Sequence, residues 1–309
     1  MRTWIKKILG IFGRNTVAKP VEIVSNGETI DSLPSVTEEN SEQETKTETI
    51  SSSEVITTLS PEVVSSTDIM NKTIFFDYLR NTLFPKRLKP NQVKGIEAIL
   101  DVMSGSPTSW IAYALATAYH ETNKNMKPNT ENLNYSVQGL LNTFGRHRIS
   151  VEDAQRLGRK PGEGPLPVER QKAIANIIYG GEWGRINLGN IHPNDGWTYR
   201  GRGMDHCTGR ANYQRTGNDI GVDLINNPEA LLVLDNAVKA LYTGMLNGRY
   251  AGDNRGRHTF ARHLPSEGNA NRQQFRNARK IINGTDKNEI IADYALIFQE
   301  ALNKSGYKN

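Results

Sequence analysis

Ten consecutive residues from Trp110 to Tyr119, Trp-Ile-Ala-Tyr-Ala-Leu-Ala-Thr-Ala-Tyr, carry no charge, no glycine and no proline. Alanine and leucine favour helix, and a helix that is apolar all round has no face to turn toward water. Such a segment must lie in a core with other elements packed around it. Pro107, just after Ser106, gives the helix a capped start, and the apolar run closes on His120 and Glu121. The pattern predicts a buried helix over residues 108–121.

Other helices are predicted around it. Ile74, Phe75, Tyr78, Leu79 and Leu83 recur at helical spacing before Pro85, and Val93, Ile96, Ile99, Leu100 and Met103 do so before Gly105. Further helical stretches are expected near 136–143, 151–157, 167–179, 207–216, 229–248, 271–283 and 287–303. Between Gly180 and Gly203 the chain is rich in Gly, Asn, Asp and Trp without a helical period, which predicts a long loop or a small irregular sheet. The fold class expected is mainly α.

Charge divides the 309 residues into three parts. Residues 1–19 carry a net charge of +5, residues 20–68 one of −10, and the remainder, residues 69–309, one of +10. In the first part Trp4, Ile5, Ile8, Leu9 and Phe12 fall on one side of a helical wheel with Arg2, Lys6 and Lys7 elsewhere around it, the pattern of a basic amphipathic helix that lies on an anionic membrane or docks onto a partner. Its apolar stretch of about six residues falls short of a signal-peptide core, so no cleavage is expected. The second part, dominated by Ser, Thr, Glu and Val and free of aromatic residues, reads as a disordered acidic linker. No run of about 18 apolar residues is present to span a bilayer. The single cysteine, Cys207, excludes an internal disulfide framework.

Glu121 is the first candidate for chemistry. A glutamate in the last turn of an apolar helix meets the negative end of the helix dipole and an apolar surround, and both disfavour its ionised form. A carboxylic acid kept protonated near neutral pH is what glycosidic bond cleavage needs as proton donor. The zinc-protease reading of His120-Glu121 needs a second histidine at position 124, where the chain has Lys124, and no metal or cofactor is expected. A glycosidase needs a second carboxylate. Glu131 is the nearest, because Pro128 and the Asn-rich turn let the chain fold back, while Glu182 and Asp195 are alternatives. Trp197 and Tyr199, beside Arg200 and Arg202, offer flat faces and forked donors suited to sugar rings; alternatively the arginines pair with acids to hold the loop down.

Several segments carry a family resemblance. They are Ala-Tyr-Ala-Leu-Ala-Thr-Ala-Tyr-His-Glu-Thr (112–122), Met-Lys-Pro-Asn-Thr-Glu-Asn-Leu-Asn-Tyr-Ser (126–136), Leu-Gly-Asn (188–190), Asp-Gly-Trp-Thr-Tyr-Arg-Gly-Arg-Gly (195–203), Thr-Gly-Arg-Ala-Asn-Tyr (208–213), Gly-Val-Asp-Leu-Ile-Asn-Asn-Pro-Glu (221–229) and Ile-Ile-Asn-Gly (281–284). Through them the chain, from about residue 70 to 303, resembles the family 19 glycoside hydrolases, the lysozyme-like group that includes plant-type chitinases and many phage endolysins.

The resemblance implies that Glu121 is the general acid and Glu131 the carboxylate that activates water. It implies that Thr208 helps to hold that water, that Asn212 contacts substrate and that Asn283 lines the cleft. His120, Trp197, Tyr199 and Arg202 complete the expected substrate-binding set. Water held between two carboxylates implies inversion, with the carboxyl groups about 6.5–9.5 Å apart. Two positions depart from the family pattern: His206, between Asp205 and Cys207, stands where glutamine is usual, and Tyr294, after Ala292 and Asp293, stands where arginine is usual. Asp205, His206 and Cys207 also allow a metal or thiol site, which adjacent residues rarely build.

The expectation is thus a basic leader (1–19), a disordered tether (20–68) and a lysozyme-like helical domain (69–309) that cleaves β-1,4 bonds in peptidoglycan in the manner of an endolysin. It would be held in the host cytoplasm until release to the cell wall, or carried on a virion. The +10 charge suits an anionic wall, and no nucleic-acid partner is expected. Chitin is the alternative substrate, and a wall-binding or virion structural protein on a degenerate hydrolase fold is the alternative role.

Overall fold

The computed structural model describes residues 70–85 and 87–308. The leader and tether expected over 1–19 and 20–68 lie outside the described residues.

Three helices open the domain: α1 (Lys72–Thr82), α2 (Pro90–Val102) and α3 (Thr108–Glu121). They are followed by β1 (Asn129–Thr130), α4 (Val137–Thr143), α5 (Val151–Leu157), α6 (Val168–Ile178), α7 (Gly181–Leu188), α8 (Asp195–Thr198), β2 (Arg202–Gly203) and α9 (Arg210–Ile220). A 3-10 turn at Pro228–Leu232 leads to α10 (Leu234–Leu246), the hairpin of β3 (Gly252–Asp253) and β4 (Gly256–Arg257), α11 (Phe260–His263), α12 (Arg272–Ala278), α13 (Lys280–Asn283) and α14 (Asn288–Lys304). Among the described residues no helix is long and apolar enough to cross a membrane.

Local chemistry sets several of these starts. Asn71 Oδ1 accepts the Ile74 amide at 3.1 Å to cap α1, while α2 begins on Pro90 with the Gln92 side chain accepting from the Lys89 amide at 2.7 Å. Ser136 and Ser150 cap α4 and α5 through the amides three residues on. Pro107 itself occupies the N-cap of α3, with no side-chain cap. Ser106 is therefore not a cap, and its hydroxyl lies 3.4 Å from that of Tyr242.

The apolar helix is central, as its sequence demands. Every residue of α3 from Ile111 to Tyr119 is buried. It packs against α2 and α14, and α14 packs in turn on α1 and α12. Phe75, Leu79, Ile96, Ile99, Leu115, Ile291 and Phe298 fill this main core. Each such side chain contributes about 1.5–3 kcal/mol when fully buried. A second cluster, with Leu133, Leu140, Phe144, Ile174, Ile178 and Tyr179, holds α4 to α7 together. A third, smaller one forms around Tyr199, Tyr213, Leu224 and Leu231.

The chain turns sharply after α3. Thr122 Oγ1 donates to the Ala118 carbonyl at 2.7 Å and accepts from the Met126 amide at 2.8 Å, closing the helix end on itself. Asn123, Lys124 and Met126 take positive φ angles of 50°, 67° and 53°, which reverse the chain. The reversed strand runs against α2 at Gly95, where a Cβ would sit 1.7 Å from the Met126 carbonyl oxygen. Only glycine allows that approach.

Elsewhere the structure corrects the sequence-based expectation. The stretch from Gly180 to Gly203 holds two helices, α7 and α8, instead of a loop or irregular sheet. Helix signals were present there, with Glu182 in the first turn of α7, Arg185 in its last turn and Gly189 closing it at φ 65°. Glycine and asparagine content masked them. α9 starts at Arg210 and not near 207, because Gly209 with φ 94° breaks the backbone, and it runs on to Gly221. The stretch expected as one helix over 229–248 is broken at Val233, which is extended, and that over 271–283 is divided at Arg279.

A histidine pair sits beside the β3–β4 hairpin. His258 Nδ1 and His263 Nε2 are 2.9 Å apart, so one ring donates and the other accepts while both are neutral. Burial, then the neighbouring His258, lowers the pKa of His263 from 6.5 to about 4, and burial also lowers that of His258. The unfolded chain therefore takes up these protons at a higher pH than the folded one, so their contribution to stability is complete above about pH 6.5 and is lost as pH falls toward 4. Melting curves across this window are expected to drop less steeply for His263→Gln than for the wild type; parallel curves would contradict the pair's role.

Candidate active site

α3 delivers Glu121 to one wall of a cleft of about 560 Å³, whose lining includes His120, Glu121, Lys124, Asn129, Glu131, Tyr135, His206 and Tyr294. The structure therefore brings the two glutamates singled out by sequence into one cavity. Glu121 does not end the helix in a purely apolar surround. Arg279 Nη1 donates to its Oε1 at 2.9 Å, and the two side chains are only 0% and 4% exposed for Arg279 and Glu121 respectively. Arg279 is held from behind by its Nε, which donates to the Asp286 carbonyl at 2.8 Å. Losing one partner of such a buried pair costs about 3–5 kcal/mol.

Glu131 is placed by a short antiparallel ladder. β1 and β2 pair Asn129 with Gly203 and Thr130 with Arg202. One residue on, the Glu131 amide donates to the Gly201 carbonyl at 2.8 Å, and the Gly201 amide donates to Glu131 Oε2 at 3.2 Å. Tyr179, at the end of α6, donates its hydroxyl to Glu131 Oε1 at 2.5 Å. Burial pushes the Glu131 carboxyl above the usual carboxylate range, while the Tyr179 hydroxyl, the Gly201 amide and the charges of Arg148 and Arg200 pull it back. Burial also lowers the pKa of His120.

The turn from Arg202 to Thr208 brings His206 into the cleft lining beside Glu131. The Arg202 amide donates to the Cys207 carbonyl at 3.2 Å, and Thr208 Oγ1 donates to the His206 carbonyl at 2.9 Å. His206 has φ 54°, a conformation uncommon for a residue with a side chain, and it lines the cleft. Tyr294 lines it too, its ring edge-on to Tyr119 at 4.9 Å. Both departures from the family pattern thus face the cavity. Asp205 and Cys207 point elsewhere, to the Tyr250 hydroxyl at 2.9 Å and the Thr216 hydroxyl at 3.7 Å. No three His, Cys, Asp or Glu side chains among the described residues form a metal-binding group.

The other expected contact residues occupy varied positions. Asn212 donates to the Thr208 carbonyl at 2.6 Å, which ties it to the same turn. Asn283 is buried at the end of α13, one helical turn from Arg279, whose carbonyl accepts its amide at 2.9 Å. Trp197 is half-buried and stacks under the Arg200 guanidinium at 3.7 Å. None of Trp197, Tyr199, Arg202, Thr208, Asn212 and Asn283 is among the residues that line the cleft, which His120 alone of the expected contact set does, and Tyr199 and Arg202 lie in the packing. Tyr199 is 2% exposed and donates to the Ile225 carbonyl at 3.2 Å, and Arg202 is 1% exposed and pairs with Glu229 at 2.5 Å. Of the alternative second carboxylates, Glu182 is exposed and paired with Arg185, while Asp195 is buried, paired with Arg210 and accepts the Ile191 and His192 amides. Neither lines the cleft.

Sequence reasoning missed Arg279 and Tyr179. Arg279 lies in the basic run Arg276-Asn277-Ala278-Arg279-Lys280, and only its place one turn before Asn283 hints at the inward side. Tyr179 follows the apolar end of a helix and precedes Gly180-Gly181, a signal for a helix end but not for a hydroxyl aimed at a carboxylate.

Over 94 residues the chain is 37% identical to a glycosyl hydrolase family 19 domain-containing protein of Haemophilus influenzae. The chain resembles a family 19 glycosyl hydrolase. The match covers 30% of this chain and 40% of that relative, so the chain spans less than half the length of the curated relative it matches. No family model matches the chain.

Gly201 offers a test of the site's packing. A Cβ there would lie 3.2 Å from Glu131 Cβ, 3.3 Å from His206 Nδ1 and 3.3 Å from Thr208 Oγ1. Gly201→Ala is expected to displace these three groups and destabilise the domain by about 1–3 kcal/mol, read by thermal melting, with the largest NMR shifts at Glu131, His206 and Thr208. Shifts spread evenly over the domain would contradict the clustering.

Proposed function

We propose that this protein is a glycoside hydrolase that cleaves β-1,4 bonds of peptidoglycan with inversion at the anomeric carbon. The observation that carries this reading is the shared cleft of Glu121 and Glu131. Glu121 gives its proton to the glycosidic oxygen as the bond from that oxygen to the anomeric carbon breaks. Glu131 takes a proton from water, whose oxygen attacks the same carbon from the opposite face. The reaction leaves Glu121 as a carboxylate and Glu131 protonated. Arg279, donating to Glu121, stabilises the charge that develops there. In this reading Thr208 and His206, which lie beside Gly201, help Glu131 to hold the attacking water.

The choice of an anionic glycan rests on charge. Residues 69–309 carry a net +10. Arg215, which donates to Asn212 Oδ1, has its pKa lowered by burial and then by the charges of Arg257 and Arg249. Arg249 is paired with Asp219, so Arg215 and Arg257 carry the positive charge near the turn that holds Thr208, which suits the carboxylates of a peptidoglycan strand and is of no use to neutral chitin. An endolysin-type action at the cell wall follows from that substrate. A second reading, a wall-binding protein on a degenerate fold, draws on the placement of His206 and Tyr294 in the cleft lining.

Glu121→Gln is expected to lower hydrolysis by about 10² to 10⁴. Because the amide leaves Arg279 without its counter-charge, the variant is also expected to melt earlier, by up to about 3–5 kcal/mol of stability. Peptidoglycan zymography at a temperature where both proteins are folded separates the two effects. Wild-type-like activity in the variant would remove Glu121 from the chemistry, and inactivity of the wild type would favour the wall-binding reading. Faster turnover of chitin oligomers than of peptidoglycan would reverse the substrate choice.

The stereochemistry checks Glu131. NMR of the first product, before mutarotation, is expected to show the α anomer, and azide is expected to restore part of the turnover lost in Glu131→Ala by attacking from the face that water used. A retained β product would make the second carboxylate a nucleophile and end its role as base.

A further inference from the structure

Arg148 lies between α4 and α5 and is 5% exposed. Its Nε donates to the Ile178 carbonyl at 2.8 Å, but Nη1 and Nη2 are buried and meet no hydrogen-bond acceptor among the described residues. The guanidinium is held by rings instead, its carbon 3.9 Å from the centre of Trp183, 4.8 Å from that of Phe144 and 5.4 Å from that of Tyr179. A guanidinium taken out of water without a carboxylate partner destabilises a fold by several kcal/mol. A residue kept under that penalty has a use for its charge.

The contacts show where the charge acts. Tyr179, whose ring borders the guanidinium, donates its hydroxyl to Glu131 Oε1 at 2.5 Å. Ile178, whose carbonyl holds Nε, is the residue just before Tyr179. Both the backbone and the ring of this segment are thus tied to Arg148. We propose that Arg148 is a positioning residue for Glu131, a fixed buried cation that acts on the carboxylate through the ring and hydroxyl of Tyr179. This rests on the reading of Glu131 as the base.

The physical need is plain. A base has to be ionised, and burial opposes ionisation of Glu131. The Tyr179 hydroxyl and the Gly201 amide offset this locally, and the positive field of Arg148 adds to them without a direct contact that would tie up the carboxylate. Burial lowers the pKa of Arg148 to about 10, so it keeps its charge through neutral pH. The other titratable or charged groups that face Glu131 are Tyr135, on the segment after β1, Arg200, before β2, and His206, in the turn after β2. Across the cleft stand His120, Glu121 and Lys124 from the end of α3, and Tyr294 from α14. Arg148 is only 5% exposed, so salt screens its field less than that of a charge on the surface.

The test compares Arg148→Met and Arg148→Lys with the wild-type full chain. Removing the charge is expected to move the acidic limb of the kcat/KM profile upward, with a loss of up to about 10-fold at a pH on that limb and less than about 2-fold on the plateau above it. Arg148→Lys keeps a cation and is expected to return the limb toward the wild-type position. The Glu131 side-chain carboxyl, followed by carbon NMR against pH, is expected to titrate higher in Arg148→Met than in the wild type, independently of any turnover. Arg148→Gln, able to keep the bond to the Ile178 carbonyl, serves in place of the methionine variant if that one does not fold. An unchanged limb and an unchanged Glu131 titration in a folded, uncharged variant would overturn the proposal, as would a uniform loss across the whole pH range. A shifted titration in a protein that hydrolyses no glycan would end the glycosidase reading and leave the coupling of Arg148 to Glu131 standing.

Discussion

The buried pair of Glu121 and Arg279 is the constraint on which the rest of the domain depends. It joins residues 158 positions apart in sequence, the last turn of the central helix and the junction of α12 with α13. A carboxylate at the end of a largely apolar, buried helix would be costly to bury alone, and so would a guanidinium that is 0% exposed. Together they are tolerated, and the geometry that makes them so fixes how the C-terminal helices close over α3. The packing of α14 on α3 and α12 follows from that closure.

The opposite wall is organised on another principle. Among the described residues Glu131 has no ion pair at hydrogen-bond distance; a phenol and a backbone amide hold it, and Arg148 stays behind Tyr179. One carboxylate is thus neutralised by contact and the other is supported from a distance. Two groups of the same kind in one cavity are given different electrostatic surroundings, which is how paired carboxylates come to hold different roles.

The parts of this arrangement legible in sequence are those written in local pattern. The limits of α3 follow from composition alone, and α5 spans the expected 151–157, because serine before an acidic turn is a direct statement of a helix start. The carboxylates were visible because Pro128 and the Asn-rich turn point to a reversal between them. The partners were not, since Arg279, Tyr179 and Arg148 reach the site from other segments of the chain, and apart from Arg279's place one turn before Asn283 nothing near them in sequence distinguishes an inward arginine from its solvated neighbours. Tyr199 and Arg202 mislead for the same reason. An aromatic beside an arginine reads as a sugar platform, yet Tyr199 is packed in the third cluster and Arg202 is consumed by Glu229. α7 shows the converse, a helix whose caps were present but whose glycines suggested a loop.

The two carboxylates also belong to different hydrophobic bodies. Glu121 ends a helix of the main core, whereas Glu131 leans on Tyr179 in the second cluster and on a ladder two residues long. The gap between them is therefore spanned by the reversed segment after α3 and not by any continuous helix or sheet. In the proposed reaction a glycan threading the cleft would touch both bodies at once, and its own rigidity would act as a mechanical spacer that sets how far apart Glu121 and the attacking water are held.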